Sequence, residues 1–146
     1  MKKSNHFFIL SLAGVIAILL AVSCKKSSSN SSSITVQNLA GTYTLTALTV
    51  TIPPLPPQSI IDSVPTCQRD DEYKLNTDLT YDYIDAGTKC NPPGDGTGVW
   101  SLSGNTITID TTQSTIQKFD GRTLVINTNV NFMGIAATTT ETLTKQ

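Results

Sequence analysis

Residues 99–109, Val-Trp-Ser-Leu-Ser-Gly-Asn-Thr-Ile-Thr-Ile, carry the clearest structural signal in the chain. Apolar residues alternate with Ser and Thr on both sides of Gly104-Asn105, and strand side chains alternate between the two faces of a sheet. A glycine-containing pair between two such runs is typical of a two-residue hairpin turn. The stretch therefore predicts two antiparallel strands, with Trp100 in the first and Ile107 in the second.

Similar alternation appears nearer the N-terminus. Tyr43 and Leu45 alternate with threonines in a strand that begins near Gly41, and the apolar phase then shifts by one residue at Leu48. Because strand side chains have a period of two, this shift predicts a bulge or a bend. The proline-rich run 53–57 ends the strand, since proline cannot donate to a ladder.

Five further strands follow from alternation and turn residues. Their apolar residues are Tyr73 and Leu75, then Leu79, Tyr81 and Tyr83, then Ile116 to Phe119, then Leu124, Ile126, Val130 and Phe132, and finally Ala137 to Thr144. Residues 87–98, rich in glycine and proline, are predicted as a loop, and the connection near Ile60 to Val64 has room for one helical turn. Eight strands joined mostly by tight turns predict an all-β fold, a single up-and-down antiparallel barrel, with a sandwich as the alternative.

The first 23 residues have the layout of a secretory signal, with two lysines before an apolar run over 7–22. That run is somewhat shorter than the roughly 20 apolar residues of a spanning helix. The segment 20–24, Leu-Ala-Val-Ser-Cys, resembles a lipobox, at which a signal peptidase cuts before a lipidated cysteine. An uncleaved membrane anchor is the alternative.

We therefore expect a signal peptide over 1–23, a lipidated Cys24 with a serine-rich tether up to residue 35, and a β domain over 36–146. Two or three acyl chains on Cys24, palmitate among them, would hold the mature protein on a membrane. Lys25 and Lys26 follow the cysteine, whereas acidic residues at this place direct surface display in some bacteria. We expect an outer-membrane lipoprotein that faces the periplasm, with surface exposure as the alternative.

Charge and composition exclude several classes of function. Removal of 1–23 leaves eight basic and 11 acidic residues and no histidine, since His6 lies in the signal. A mildly acidic domain without a basic cluster does not fit a nucleic-acid binder. Nucleophilic triads and most catalytic zinc sites need an imidazole. We therefore expect no enzyme, catalytic residue, metal or cofactor; an enzyme would need carboxylates with shifted pKa values in a cleft.

Two cysteines remain after Cys24, namely Cys67 and Cys90. In an exported protein an even pair predicts a disulfide. A metal pair or a redox pair is the alternative, but the spacing is not CxxC and no histidine accompanies it.

A group of acids, Asp70, Asp71 and Glu72 with Asp82 and Asp85 nearby, could form a calcium site or a glycosidase pair. Adjacent residues in a strand point to opposite faces, so neighbouring carboxylates do not easily share one site. We expect a solvated strand end, with calcium as the better of the two alternatives.

Several motifs resemble those of lipocalins. Residues 39–45, Leu-Ala-Gly-Thr-Tyr-Thr-Leu, resemble the Gly-x-Trp opening strand, with Tyr43 where Trp is usual. The hairpin 99–109 resembles the central hairpin of bacterial lipocalin-like lipoproteins, and so does Cys67 with the aspartate pair that follows it. The resemblance covers roughly 36–146. It implies an eight-stranded calycin-type barrel and, in many relatives, a cavity for a small apolar molecule.

The favoured hypothesis is a membrane-anchored lipoprotein that binds a small apolar or amphipathic ligand in or at its barrel. Its candidate ligand contacts are Tyr81, Tyr83, Trp100, Phe119, Leu124, Ile126 and Phe132. The alternative is that the same residues form the core of a filled barrel, since eight strands leave an interior that side chains can fill. The protein would then be a structural or interaction module with a partner surface on loops 53–66 and 87–98, and no protein partner is identified.

Overall fold

The computed structural model describes residues 32–132 and 134–146. Its strands are β1 (Gly41–Thr51), β2 (Gln58–Ser59), β3 (Glu72–Leu75), β4 (Thr80–Ile84), β5 (Gly96–Ser103), β6 (Thr106–Ile109), β7 (Thr112–Phe119), β8 (Thr123–Phe132) and β9 (Ile135–Lys145). The predictions for 1–23 and for Cys24 lie outside the described residues. Within the described ranges, no helix is long and apolar enough to cross a membrane.

The strands form one antiparallel sheet in which β1 and β3 to β9 follow one another in chain order, and β9 pairs with β1. The short strand β2 adds only to the edge of β1. The predicted eight-stranded up-and-down barrel is therefore confirmed.

Strand β1 contains the predicted irregularity. Its register against β9 shifts between Leu45 and Ala47, which is the position of a β-bulge. Leu45 lies opposite Leu143, and Leu48, after the bulge, lies opposite Glu141. Directly opposite residues share a face of the sheet, so the bulge brings the apolar residues of both phases to the interior.

A four-residue helix, α1 (Val36–Leu39), lies at one end of the barrel. The side chain of Thr35 caps it by accepting a hydrogen bond from the Asn38 N–H. Leu39 is fully buried, and the Tyr43 hydroxyl donates to its carbonyl oxygen at 2.6 Å. The Ser32 N–H already donates to a strand carbonyl at 3.1 Å, so the last residues of the segment predicted as a tether lie against the barrel.

The half of the barrel next to α1 is filled by side chains. The buried apolar residues of this core are Leu39, Tyr43, Leu75, Trp100, Ile107, Ile116, Phe119, Leu124, Ile126 and Leu143. The indole N–H of Trp100 donates to the Asn76 carbonyl at 2.9 Å, which satisfies the one polar group of this buried ring. At this end the barrel is therefore closed by a packed core.

Long loops cover part of the opposite end. The connection between β2 and β3 contains two 3-10 helices, Ile61–Ser63 and Thr66–Gln68, where the sequence leaves room for one helical turn. The predicted disulfide between Cys67 and Cys90 is confirmed. It links this connection to the loop between β4 and β5.

The expectation of a solvated strand end for the acidic group is wrong for Asp71 and Asp85, which are 1% and 0% exposed. Asp71 accepts hydrogen bonds from the Tyr83 hydroxyl and the Ala86 N–H. Asp85 accepts from two backbone N–H groups of the following loop. The loop folds back over these carboxylates because its backbone donors have no strand partner. In the described ranges no three acidic, cysteine or histidine side chains form a group that could hold a metal ion.

Two further details differ from the sequence prediction. Leu79 lies in the turn before β4 with φ 70° and is 39% exposed, so it does not share the face of Tyr81. Strand β5 begins at Gly96, inside the segment predicted as a loop. A side chain at Gly98 would clash with the Tyr81 ring and the Asp110 carboxylate. Glycine is therefore required in this strand, although it leaves no alternation signal.

Tyr43→Phe tests the closure of the helix end. The change removes the donor to the Leu39 carbonyl and keeps the ring, so we expect the free energy of unfolding to fall by about 1–2 kcal/mol. Urea denaturation of residues 25–146 measures this fall. Tyr73→Phe is the matched control, because among the described residues the Tyr73 hydroxyl has no hydrogen-bond partner, and a change below about 0.5 kcal/mol is expected. Equal losses in the two variants would contradict this role of Tyr43.

Candidate functional site

The half of the barrel opposite α1 is open. A cavity of about 500 Å³ begins at this mouth and is walled by β4, β6 to β9 and the turn between β6 and β7. Its lining includes Tyr81, Ile109, Ser114, Ile126, Thr139 and Glu141. The wall thus combines apolar side chains with hydroxyl groups and one carboxylate in the interior of the barrel.

A second, apolar cavity of about 50 Å³ lies between this open half and the packed core. Ile109, Ile126 and Glu141 line both cavities. The remaining wall of the small cavity belongs mostly to the core, with Tyr43 and Leu143 among its residues. The two cavities therefore adjoin at these three shared residues.

The mouth also opens sideways. Strands β7 and β8 pair over 115–119 and 124–127. Above this region the Ser114 and Thr128 hydroxyls form a hydrogen bond of 2.7 Å, and from residue 128 on β8 is paired with β9 only. A polar cleft of about 640 Å³ lies where β7 and β8 part, and it shares Val130 and both hydroxyl residues with the mouth. The open half thus has a lateral cleft beside its mouth.

Glu141 places a carboxylate on the interior face of β9. Ile126 and Leu48 lie directly opposite it on the two neighbouring strands. This half-buried position among apolar residues raises the pKa of Glu141 by desolvation. Within 32–132 and 134–146 its carboxylate has neither a hydrogen-bond nor an ion-pair partner.

A second carboxylate, that of Asp110, lies at the rim of the mouth. It accepts hydrogen bonds from the Tyr81 hydroxyl at 2.9 Å and from the Val99 N–H at 3.1 Å. The hydrogen bond to this carboxylate raises the pKa of Tyr81. Asp110 therefore has donors within the fold, whereas Glu141 has none among the described residues.

No basic side chain of the described residues lines either cavity. Three basic residues form ion pairs with aspartates elsewhere: Arg69 with Asp62 at 3.2 Å, Lys74 with Asp82 at 3.9 Å, and Lys118 with Asp120 at 3.2 Å. Lys145 donates to the Asn38 carbonyl at the closed end. The lining of the open cavity therefore includes two carboxylates, Asp110 and Glu141, and no basic side chain of the described residues.

Three of the predicted ligand contacts lie at the cavities. Tyr81 lines the open cavity, Leu124 lines the small one, and Ile126 lines both. The structure therefore places these three side chains around two adjoining cavities.

The other predicted contacts lie elsewhere. Trp100 and Phe119 are each 2% exposed and belong to the packed core. Tyr83 donates its hydroxyl to Asp71 beneath the loops, and this bond together with burial raises its pKa. The side chain of Phe132 lies outside what the structure describes.

Sequence reasoning missed several residues of the wall, including Tyr73, Ile109, Thr139 and Glu141. For Glu141 a signal was present. It alternates with Thr139 and Leu143 along β9, and residues at this spacing share one face of a strand. Because Leu143 is apolar, this spacing predicts that Glu141 lies on a buried face.

Comparisons with known proteins concern the same region of the chain. The sequence model of a family described as a lipocalin-like domain matches residues 39–126. No curated protein matches the chain significantly. Among solved structures, the bovine lipocalin allergen Bos d 2 is similar with a TM-score of 0.47 and 14% sequence identity, over 77% of this chain and 76% of that chain.

Glu141→Gln is expected to stabilise the fold at neutral pH. Folding raises the pKa of Glu141 above 4.5. Its contribution to the free energy of unfolding is therefore fully favourable below the pKa of the unfolded state, and it is lost as the pH rises through the pKa of the folded state. Removing the charge should therefore raise the free energy of unfolding at neutral pH by about 1 kcal/mol, and this gain should vanish towards about pH 4.

Urea denaturation across this pH range measures the effect. Glu72→Gln is the matched control, since Glu72 is the other glutamate of the chain and alternates with interior Tyr73 on β3. A lower stability of Glu141→Gln at neutral pH would show that the carboxylate is held by donors after all.

Proposed function

This chain belongs to the lipocalin-like domain family, and from that membership we propose that it binds a small apolar or amphipathic molecule in the open half of its barrel. The observation that carries the proposal is the difference between the two halves. An eight-stranded barrel can be filled by side chains alone, yet here the interior is packed next to α1 and hollow at the mouth. A concave site of about 500 Å³ is in the usual size range for small-molecule sites.

The lining supports a ligand that is mainly apolar but carries a polar group. Ile109, Ile126 and Val130 supply apolar surface, which gains roughly 25 cal/mol per Å² on being removed from water. Ser114 and Thr139 supply hydroxyl groups that either donate or accept. Such a wall favours an amphipathic molecule over a purely hydrocarbon one.

The proposal includes a lipid anchor on Cys24 that holds the protein at the outer membrane, facing the periplasm. The support is the signal pattern before Cys24 and the place at which the chain enters the domain. The Ser32 N–H donates to the Phe119 carbonyl beside the turn from β7 to β8, at the closed end. An anchor attached there leaves the mouth at the far end of the barrel.

A second candidate is a loop-based partner surface in an interaction module of the cell envelope. Leu55, in the proline-rich run, is 59% exposed, and the disulfide ties the neighbouring loops together. For an enzyme we find no support in the mature sequence, which lacks histidine. We propose a binding role without catalysis.

Thr139→Trp tests the cavity. The indole would occupy the open half, so we expect the affinity for the neutral apolar fluorophore N-phenyl-1-naphthylamine to fall by about tenfold or more, because ligand and indole compete for the same space. Fluorescence titration measures the affinity.

Thr140→Trp is the matched control, since Thr140 is adjacent but its side chain bonds to Asn127 on the other face. Equal affinities in both variants would place the fluorophore outside the barrel. Failure of the unmodified chain to bind any apolar probe would count against a binding function and in favour of the partner surface.

Cys24→Ser tests the anchor. We expect the chain to lose incorporation of radiolabelled palmitate and to keep residues 1–23, as measured by its mass, because the peptidase cuts only before a lipidated cysteine. Ser27→Ala, in the tether, is the control and should keep both the label and the cleavage. Labelling that persists in Cys24→Ser would exclude this cysteine as the lipidation site.

A further inference from the structure

We propose that the ligand is a cationic amphiphile, an alkyl amine or related ammonium compound, whose charged nitrogen pairs with the Glu141 carboxylate while its apolar body occupies the cavities on either side. This inference rests on the proposed function and names the ligand class of the same site. It depends on the position of Glu141, on its apolar neighbours, and on the lack of basic side chains among the described residues that line the cavities.

The position of Glu141 is the first step. It lines both the open cavity and the small apolar cavity, so this carboxylate lies where the two cavities adjoin. Its cross-strand neighbours Ile126 and Leu48 are apolar and offer no donor. A carboxylate in such surroundings lowers stability unless it is paired, and a bound cation is the partner that the described residues do not supply.

The charges that face Glu141 are the second step. The titratable groups at the two cavities are Tyr43, Tyr73, Tyr81 and Asp110, and none of them is a base. A ligand with a carboxylate or phosphate group would meet two acids and no cation. The walls therefore select against anions and in favour of cations.

A neutral alcohol is the intermediate case. Its hydroxyl can donate one hydrogen bond to the ionised Glu141, but only an ammonium group adds the attraction between opposite charges, which is stronger at a half-buried site than in bulk water. The order of affinity for equal chain lengths should then be amine, alcohol, carboxylate.

Three probes of equal chain length, octylamine, octanol and octanoate, test the proposal by displacing N-phenyl-1-naphthylamine from the mature chain. Near pH 7 we expect octylamine to bind about tenfold more tightly than octanol, and octanoate to bind most weakly. Glu141→Gln should reduce the affinity for octylamine to that for octanol and should change the affinity for octanol by less than about twofold.

Two control variants separate Glu141 from other acids. Glu72→Gln makes the same chemical change outside the barrel and should leave all three affinities unchanged. Asp110→Asn should reduce the affinity for octylamine less than Glu141→Gln does, because Asp110 already accepts two hydrogen bonds. The reverse order would overturn the assignment of the ammonium group to Glu141.

Acidification gives an independent readout. Protonation of Glu141 removes its charge, so octylamine should be released as the pH falls from about 7 to about 4 while octanol stays bound. The three tyrosines keep their protons over this range, and Asp110→Asn should show the same release. Release of both probes together would reflect a change in the barrel itself and contradict the proposal.

Failure of this inference is distinguishable from failure of the proposed function. If octanol and the fluorophore bind and are blocked by Thr139→Trp, but octylamine and octanoate bind equally, then the barrel binds ligands without selecting cations. If no probe binds, both proposals fail. Loss of octylamine binding in Glu141→Gln cannot be ascribed to unfolding, provided that its urea denaturation curve matches or exceeds that of the unmodified chain.

Discussion

The pairing of β1 with β9 closes the sheet into a barrel. The bulge between Leu45 and Ala47 lets the apolar residues before it and after it both point into the barrel. Strand side chains have a period of two, so without the inserted residue Leu48 would point outward. With it, Leu45 lies opposite Leu143 in the packed half, and Leu48 lies opposite Glu141 in the open half. The bulge therefore determines which side chains of β1 line both halves of the barrel. The pairing itself leaves neither β1 nor β9 with a free edge along their paired length.

The two halves differ in how their interiors are occupied. Towards α1, large side chains such as Trp100 meet across the barrel, and their polar atoms bond to backbone carbonyls. Towards the mouth, interior positions carry Ser114, Thr128 and other hydroxyl residues, which are too small to meet across eight strands. These hydroxyls tolerate water, so this half need not collapse. The same chemistry holds β7 and β8 together by side chains where their backbones part.

Features with a local cause were predictable from the sequence. The hairpin at Gly104-Asn105, the bulge in β1 and the strand end at 53–57 depend on neighbouring residues alone. The disulfide was predicted from the two cysteines after Cys24 and from the expectation that the chain is exported. The burial of Asp71 and Asp85 depends on the loop between β4 and β5, which folds back to donate hydrogen bonds to both carboxylates, and the alternation of residues along a strand does not indicate this.

The residues that line the cavities were harder to predict, because the size of an aromatic side chain does not indicate how far along the barrel axis it lies. Trp100 fills the core, while the less conspicuous Glu141 lies at the cavity.

The acidic residues inside this domain differ in whether the fold supplies them with hydrogen-bond donors. Asp71 and Asp85 are more deeply buried than Glu141, yet each accepts hydrogen bonds from donors that the chain itself provides. Glu141 has no such donor among the described residues, and its neighbours on both strands are apolar. A sequence that had only to specify a stable barrel would place an apolar or neutral residue there, as it does at Leu143 two positions later. Proteins depart from the rules of stable folding chiefly at functional sites, and the departure at Glu141 is therefore an argument for the proposed site.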